Sequence, residues 1–264
     1  MDLGISGKTA LVTGSTAGIG FATAMGLAFE GAHVVVTGRT QARVDAALAA
    51  LSKAQPKASA EGVAGDLSTA DGCANLIQRI PEVDILVNNL GIYSRTDFED
   101  ISDDAWYKMF DTNVMSGVRL TRHYLAGMKA KDWGRVVFVS SESAQHIPKE
   151  MVHYGATKSI QVAIARGIAE SLASTAITVN SVLVGPTRSE GVGGLIEQRA
   201  KERGISFEEM QTIYFQETRP TSLLKRFLKP EEVANMILYA CSAAASATTG
   251  TPLRVDGGVV RAAF

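Results

Sequence analysis

The stretch Lys8-Thr9-Ala10-Leu11-Val12-Thr13-Gly14-Ser15-Thr16-Ala17-Gly18-Ile19-Gly20 decides the fold of this chain. Its first part is a short apolar, partly β-branched run, which is typical of a buried strand. From Ile19 onward, apolar and small residues recur at three- and four-residue spacing, which indicates a helix. A glycine-rich turn between a strand and a helix can cradle a phosphate, because the backbone approaches closely and helix N–H groups point at the anion. The spacing Gly14-x3-Gly18-x-Gly20 is a variant of the dinucleotide fingerprint, and such turns also occur without a ligand.

Composition narrows the class of protein. The 264 residues suffice for one large α/β domain, and an apolar content of 46% supports a substantial core. A formal charge of −1 provides no basic field for nucleic acid. The two cysteines, Cys73 and Cys241, have no metal-binding spacing, so we expect no metal site, buried free thiols and a reducing compartment. The chain shows neither a signal-peptide pattern nor an 18-residue apolar run, which predicts a cytoplasmic protein that does not enter membranes.

Predicted strands alternate with predicted helices along the whole chain. Such alternation indicates βαβ units, a parallel sheet and right-handed crossovers. The strands are expected at 9–12, 33–37, 60–64, 84–87, 135–140, 177–184 and 253–255. The principal helices are expected from Thr40 to about 51, from Ser68, and at 102–131, 152–174 and 230–241, and a long excursion covers 185–222. We therefore predict an α/β fold over 1–264, a single domain with this excursion as a lid over the substrate site.

Ligands on a parallel sheet bind beyond the carboxyl ends of its strands. Tyr154 and Lys158 lie four residues apart in a helical pattern and share one face, although chance often produces such a pair. Ser141 directly follows a buried strand and stands 13 residues before Tyr154. A nearby ammonium favours the phenolate and lowers a tyrosine pKa, so that the phenol can exchange a proton with an alcohol or ketone.

Four matches together make the chain similar to the short-chain dehydrogenase/reductase family over essentially its whole length. They are Thr13-Gly14-x3-Gly18-Ile19-Gly20, Asn88-Asn89-Leu90-Gly91, Tyr154-x3-Lys158 with Ser141, and Asn113 placed 28 residues before Ser141. The resemblance implies a Rossmann-like, doubly wound parallel sheet of about seven strands flanked by helices. It also implies NAD(P)-dependent oxidation of alcohols or reduction of ketones.

The resemblance implies a role for each matching residue. Tyr154 would be the general acid/base, Ser141 would orient the substrate carbonyl, and Lys158 would lower the pKa of Tyr154 and contact the nicotinamide ribose. Asn113 would support a water that links Lys158 to a proton relay, or kink its helix, or both. The implied cofactor-binding residues are Gly14, Thr16, Gly18, Ile19, Gly20, Arg39, Asp66, Leu67, Asn89, Gly91, Tyr154, Lys158, Gly185 and Thr187.

Some of these positions have plainer explanations. Asp66 stands where the family contacts the adenine ring, but it could be a helix-capping turn residue, and Asn88-Asn89 could be an ordinary turn after a strand. Two residues depart from the family pattern. Leu90 replaces the usual alanine beside the cofactor cleft, and Val184 stands where proline is usual, so the loop from 185 onward could open differently.

The second strand bears on the choice of nicotinamide. An acidic residue at its end marks NAD, whereas a nearby arginine accommodates the 2′-phosphate of NADP. Gly38 occupies the acidic position and Arg39 follows, which favours NADP over NAD. Against this, the glycine turn offers Thr16-Ala17 and no second basic residue, and Arg39 could be an exposed strand-end arginine.

The substrate wall is predicted from residues that follow strand ends. We expect it to contain Tyr93, Ser141, Gln145, His146, Ile147 and Tyr154, with Leu195 and Ile196 from the excursion. His146 could equally be a surface residue, and His153 is expected on another helix face in a structural role. Apolar residues at helical spacing over 207–215 predict a lid helix packed on the pocket.

Several functions remain open. The leading hypothesis is an oxidoreductase of ketones or secondary alcohols, with 3-oxoacyl-carrier-protein reduction as one form. An acidic carrier protein would need a basic patch such as Arg119, Arg122, Lys129, Lys131 and Arg135. The alternatives are a catalytically silent cofactor-sensing regulator and a pure scaffold. The resemblance further implies a homodimer or homotetramer paired through the two long helices.

Overall fold

The computed structural model describes residues 2–263, without the side chains of residues 190–192 and 195. Seven strands form one parallel sheet in the order β3-β2-β1-β4-β5-β6-β7. This is a single-domain Rossmann-like architecture, as predicted. The strands are β1 (Thr9–Val12), β2 (His33–Gly38), β3 (Ala60–Ala64), β4 (Ile85–Asn88), β5 (Gly134–Ser141), β6 (Ile177–Val184) and β7 (Pro252–Val255).

Helices cover both faces of the sheet. Alternate strand residues enter opposite cores, because successive side chains of a strand point to opposite faces. Val12 packs in the core that also holds Leu27 and Ile237, whereas Leu11 packs in the core that holds Leu120. The helices are α1 (Gly18–Phe29), α2 (Gln41–Ala54), α3 (Ala70–Arg79), α4 (Asp103–Phe110), α5 (Ser116–Ala130), α6 (Val152–Glu170), α7 (Glu190–Arg203), α8 (Phe207–Glu217) and α9 (Pro230–Cys241).

The predicted helix 102–131 is interrupted. Asp111–Met115 forms a π-helical turn between α4 and α5. Two other predictions shift slightly. Thr69, not Ser68, caps α3, because its hydroxyl accepts from the Gly72 N–H at 3.0 Å. The helix expected to reach 174 ends at Glu170.

Residues 185–222, called the lid below, contain α7 and α8 and have a small core of their own. Met210, Tyr214 and Phe215 pack there with Ile196 and with Phe227 beyond the lid. The aromatic rings of Phe215 and Phe227 lie 5.1 Å apart in a T-shaped arrangement. The side chain of Leu195, predicted for the substrate wall, lies outside the described residues. The lid therefore has internal packing that lets it keep its shape above the sheet.

Two features of composition have structural counterparts. Cys73 and Cys241 are buried free thiols, as predicted. None of the helices described within 2–263 is long and apolar enough to cross a membrane.

Candidate active site

The glycine turn between β1 and α1 is closely packed. Gly14 and Gly18 adopt positive φ values of 63° and 56°, which side chains rarely tolerate. A Cβ atom on Gly20 would lie 2.5 Å from the Gly14 carbonyl oxygen. Ala17, the N-cap residue of α1, has no side-chain acceptor for the first N–H groups of the helix. These groups can therefore bind an anion, and the turn fits the pyrophosphate of a dinucleotide.

Asn89 fastens this turn to the end of β4. Its side-chain Nδ2 donates to the carbonyl oxygens of Thr13 at 2.9 Å and Gly14 at 3.1 Å. Its backbone N–H donates to Thr13 Oγ1 at 2.9 Å. Asn88 is buried and donates to Thr121 Oγ1. The Asn88-Asn89 pair is thus more than an ordinary turn, because it ties two strand ends and α5 together.

The residues expected near the adenine differ in whether their side chains are accessible to a cofactor. The Asp66 carboxylate accepts from Ser68 N at 3.0 Å and Ser68 Oγ at 2.7 Å, and these bonds lower its pKa, with a further contribution from Arg39. Asp66 is therefore a turn residue, but it is also exposed. The Leu67 side chain is buried in the core, which leaves only its backbone to contact a cofactor.

The end of β2 leaves no space for an acidic side chain. A Cβ atom on Gly38 would lie 2.5 Å from Thr16 Cγ2, so a larger residue there would have to displace Thr16. The next residue, Arg39, is exposed. A cationic side chain without an acidic neighbour at the strand end suits a 2′-phosphate better than a 2′-hydroxyl.

The candidate catalytic residues come from three elements. Ser141 ends β5, Tyr154 and Lys158 lie on α6, and Asn113 lies in the π-helical turn. The Lys158 side chain is only 4% exposed. Its Nζ donates to the Val139 carbonyl oxygen at 2.8 Å and lies 5.6 Å from the centre of the Tyr154 ring. Ser141, Tyr154 and Lys158 are thus held around one cavity, and Asn113 lies behind it, where a Cβ atom on Gly91 would be 3.4 Å from both Asn113 Oδ1 and Lys158 Nζ.

The Asn113 side chain is fully engaged. Its Oδ1 accepts from Ile92 N at 2.7 Å, and its Nδ2 donates to the Ile92 carbonyl oxygen and to Thr157 Oγ1, both at 3.0 Å. Its backbone carbonyl accepts from Gln161 Nε2 at 2.5 Å, and Gln161 Oε1 accepts from Lys158 Nζ at 3.1 Å. The Gln161 amide thus joins the Asn113 backbone to Lys158. Sequence reasoning missed this residue, although it lies one turn beyond Lys158.

The electrostatics of the site differ from the expectation in one respect. The pKa of Tyr154 is raised, first by burial and second by the Glu142 carboxylate; Tyr93 also raises it, while Ser141 and Arg219 lower it. Burial lowers the pKa of Lys158 to about 7. The predicted lowering of the Tyr154 pKa by Lys158 is therefore not what the site shows, because burial and Glu142 raise that pKa and the groups that lower it are Ser141 and Arg219.

One cavity of about 230 Å³ lies between these residues and the lid. Tyr93 lines it, with its ring 6.3 Å from that of Tyr154 in a T-shaped arrangement. Tyr214 and Ile196 close it from the lid. Of the predicted cofactor-binding residues, it also touches Ile19, Asn89, Gly91, Lys158, Gly185 and Thr187. Three arginines line it as well: Arg95, Arg199 and Arg219.

Three residues expected on the substrate wall lie elsewhere. Gln145 and His146 line a separate cavity with Thr221 and Val260. Ile147 is half exposed and packs near Gly155. Glu142 and Ser143 still line the central cavity, and the short 3-10 helix Glu142–Ala144 then turns the chain away from it, which explains the difference. His153 has a structural contact, because its Nε2 is hydrogen-bonded to Ser94 Oγ at 2.8 Å.

The two departures from the family pattern are accommodated by packing. Leu90 packs against the core beneath the glycine turn. Val184 pairs with Val255 and Ser141 in the sheet and lines the cavity. The following backbone is fixed to Leu228, whose N–H donates to the Pro186 carbonyl oxygen at 2.9 Å. The loop after β6 is therefore held at its start despite the missing proline.

Comparison with known proteins gives consistent matches. A family model described as short chain dehydrogenase matches residues 8–200. An uncharacterized oxidoreductase of Bacillus subtilis, YvaG, is 45% identical, and the match covers 100% of both chains. D-beta-hydroxybutyrate dehydrogenase of Cupriavidus necator is 33% identical, covering 97% of this chain and 99% of that protein. The crystal structure of L-sorbose reductase from Gluconobacter frateurii with NADPH and L-sorbose superposes with a TM-score of 0.93 at 31% identity, covering 99% and 100%.

Proposed function

The chain belongs to the short chain dehydrogenase family, and on that premise we propose that it transfers a hydride between a nicotinamide cofactor and a small ketone or secondary alcohol. It is an oxidoreductase acting on CH–OH groups. Tyr154 is the general acid/base of this proposal. The observation that carries it is the convergence of Ser141, Tyr154 and Lys158 on the cavity beside the glycine turn, with Asn113 joined to Lys158 through Gln161.

Different residues of the chain would have separate roles in this hydride transfer. A bound nicotinamide supplies or accepts the hydride. Tyr154 gives a proton to the substrate oxygen during reduction and takes it during oxidation. Ser141, at the end of β5, holds that oxygen beside the phenol. Lys158 would hold the nicotinamide ribose, and Gln161 fixes the direction of its ammonium group. The first N–H groups of α1 would hold the pyrophosphate.

We propose NADP as the preferred cofactor. Gly38 is packed against Thr16, which disfavours an acidic residue at the position that would read a free 2′-hydroxyl. Arg39 is exposed at the next position and would pair with the 2′-phosphate. The charge of Arg39 lowers the pKa of Asp66, so the two side chains lie near each other at this edge of the sheet.

A free small molecule suits the site better than a substrate carried by an acidic protein. Three of the five basic residues considered for carrier binding are engaged elsewhere. Arg135 is buried and donates to backbone carbonyl groups, including Ser242 O at 3.0 Å. Lys131 pairs with Glu82 at 3.0 Å, and Arg119 pairs with Asp111 at 3.2 Å. Arg135 and Lys131 stand at the amino end of β5, whereas the cavity lies at its carboxyl end.

We also propose a homodimer or homotetramer paired through α5 and α6. A Cβ atom on Gly167 would meet open space, and Ala163 is exposed on the same helix. Such small exposed residues let two helices approach closely. Light scattering coupled to size-exclusion chromatography measures the state directly.

The test of function is a panel of ketones and secondary alcohols assayed with NADPH and NADH. We expect turnover with at least one substrate and a loss of about a thousandfold or more in the Tyr154→Phe variant, because the proton donor is gone. Cofactor affinity in that variant should stay close to wild type. Tight cofactor binding without turnover of any panel member would instead favour the cofactor-sensing regulator, and full activity of Tyr154→Phe would refute the proposed role of the phenol.

A further inference from the structure

A buried ion pair joins the lid to the serine of the site. Glu142 follows Ser141 directly, and Arg219 follows α8 in the lid, 77 residues further on. Arg219 Nε lies 2.9 Å from Glu142 Oε1, and the two side chains are only 5–6% exposed. Burying two charges is costly unless both are well paired and hydrogen-bonded, so such a pair is rarely incidental.

The two oxygens of the Glu142 carboxylate accept hydrogen bonds from different donors. Oε1 accepts from Arg219, whereas Oε2 accepts from Ser141 Oγ in a short hydrogen bond and from Ser143 N at 2.9 Å. Arg219 is itself fixed, because its Nη1 donates to the Thr218 carbonyl oxygen at 2.9 Å. One continuous set of bonds therefore runs from the lid backbone to the Ser141 hydroxyl.

We propose that Glu142 and Arg219 are positioning residues that couple the closed position of the lid to the orientation of the Ser141 hydroxyl beside Tyr154. The proposal rests on the proposed function, in which Ser141 and Tyr154 act on the substrate. Neither residue of the pair is assigned a proton-transfer step.

The coupling follows from the single proton of a hydroxyl group. While Glu142 is ionised it can only accept, so Ser141 donates its proton to Glu142. When that proton is turned toward the phenol instead, it lowers the pKa of Tyr154, so the carboxylate and the phenol oxygen compete for it. The carboxylate also repels the phenolate directly and raises the pKa of Tyr154. Glu142 thus acts on Tyr154 in one direction through two routes, by its charge and by competing for the Ser141 proton.

Arg219 acts in the opposite direction. Its positive charge favours the phenolate, and it compensates Glu142. The other titratable groups that face the phenol are Tyr93, from the chain after β4, and Lys158, from α6 itself. If the lid moved away, Glu142 would lose its counter-charge. The closed lid is therefore stabilised by the same contact that orients Ser141.

The decisive experiment compares four variants with the wild type. Glu142→Gln removes the negative charge with almost no change of shape, Arg219→Met removes the positive charge, and the double variant removes both. Glu197→Gln is the matched control, because it breaks the Arg188–Glu197 pair of the lid, which is 2.9 Å long and half exposed. The measurements are the pH dependence of kcat, the titration of Tyr154 by ultraviolet difference spectroscopy, and amide hydrogen exchange over 205–222.

We expect opposite displacements of the Tyr154 titration midpoint. Glu142→Gln should move it to lower pH, Arg219→Met to higher pH, and the double variant back toward the wild type. Both single variants should exchange lid amides faster and lose about 10- to 100-fold in kcat/KM, the cost of a misplaced catalytic group. Glu197→Gln should change neither the midpoint nor kcat/KM. Nonspecific damage would not produce shifts of opposite sign.

Displacements in the same direction, or no displacement in Glu142→Gln, would overturn the proposal, as would unchanged lid exchange in that variant. Should Arg219→Met fail to fold, Glu142→Gln decides alone, with Arg219→Lys expected to restore the midpoint of the wild type. If the wild type turns over no substrate, the proposed function fails. The Tyr154 titration and the lid exchange then still decide whether the pair couples the two elements.

Discussion

Replacing Lys158 with methionine should change the pH dependence of the free energy of unfolding as well as abolish turnover. Methionine has a similar length and flexibility, and it removes the charge from a side chain that is almost completely buried. An ordinary lysine has a pKa of 10.5, and burial lowers the pKa of Lys158 to about 7. Between these two pKa values Lys158 is therefore neutral in the folded protein and protonated in the unfolded chain.

The magnitude follows from that difference. Above pH 10.5 Lys158 is neutral in both the folded and the unfolded protein, so it does not lower the free energy of unfolding. As the pH falls from 10.5 to 7, the unfolded chain becomes protonated first, so the wild type loses stability, and below pH 7 the loss stays constant. A drop of the pKa from 10.5 to about 7 corresponds to about 5 kcal/mol at about 1.4 kcal/mol per pH unit, as an upper value.

Methionine also removes two hydrogen bonds, from Nζ to the Val139 carbonyl oxygen and to Gln161 Oε1. Leaving those buried acceptors without a partner costs about 1–3 kcal/mol each. This cost does not depend on pH. The variant should therefore be clearly less stable than the wild type near pH 10, and equal or more stable near pH 6.

The assay is denaturant-induced unfolding of both proteins at several values between pH 6 and pH 10. Far-UV circular dichroism reports the folded fraction, and the difference in unfolding free energy is plotted against pH. We expect this difference to change by several kcal/mol in favour of the wild type as the pH rises. Two parallel curves would mean that Lys158 keeps an ordinary pKa in the folded protein, and the reasoning would fail.

Two further predictions concern the cofactor. Arg39→Ala should weaken NADP binding about 10- to 100-fold, the value of a charge-assisted hydrogen bond, and leave NAD binding almost unchanged; equal losses in calorimetric titrations of both cofactors would defeat the proposed preference. Gly20→Ala should weaken either cofactor at least tenfold and destabilise the fold by about 1–3 kcal/mol, because its Cβ atom would lie 2.5 Å from the Gly14 carbonyl oxygen. Gly194→Ala is the control, since its Cβ atom meets open space within α7 and should raise Tm slightly.

The sequence predicted the architecture because local patterns encode it. Each apolar run bounded by a glycine or polar turn became a strand of the one parallel sheet, for example Thr9–Val12 and Ile177–Val184. The resemblance supplied the Rossmann-like class and the seven strands. Helix ends were less accurate, because Ser68 and Thr69 are equally good caps by composition and only the hydroxyl contact with Gly72 separates them.

The site was predictable where a residue directly follows a strand or shares a helix face. Ser141, Tyr154 and Lys158 all line one cavity for this reason. Asn113 was singled out by the resemblance alone, and it reaches Lys158 through Gln161. The partnership of Glu142 with Arg219 could not be predicted, because 77 residues separate them and no periodicity connects a loop to a lid. Gln161 offered a weak signal, since a glutamine on a buried helix face requires two partners.

Three residues predicted for the substrate wall lie away from the central cavity for a related reason. Gln145, His146 and Ile147 were chosen by their closeness in sequence to Ser141, but a single turn of 3-10 helix redirects the chain. Residues from the lid, such as Tyr214, take their place. Distance along the chain predicts distance in space only until the next change of direction.

The π-helical turn Asp111–Met115 also restricts how this segment can change length over evolution. A turn of this type holds one residue more than an α-helical turn. Deleting that residue would restore a regular helix, but it would rotate all following side chains by about 100° around the axis. Leu120 and Tyr124, which now fill the core, would then swing toward solvent. We therefore expect selection to remove insertions and deletions in this turn, whereas surface loops of the same length can vary in length.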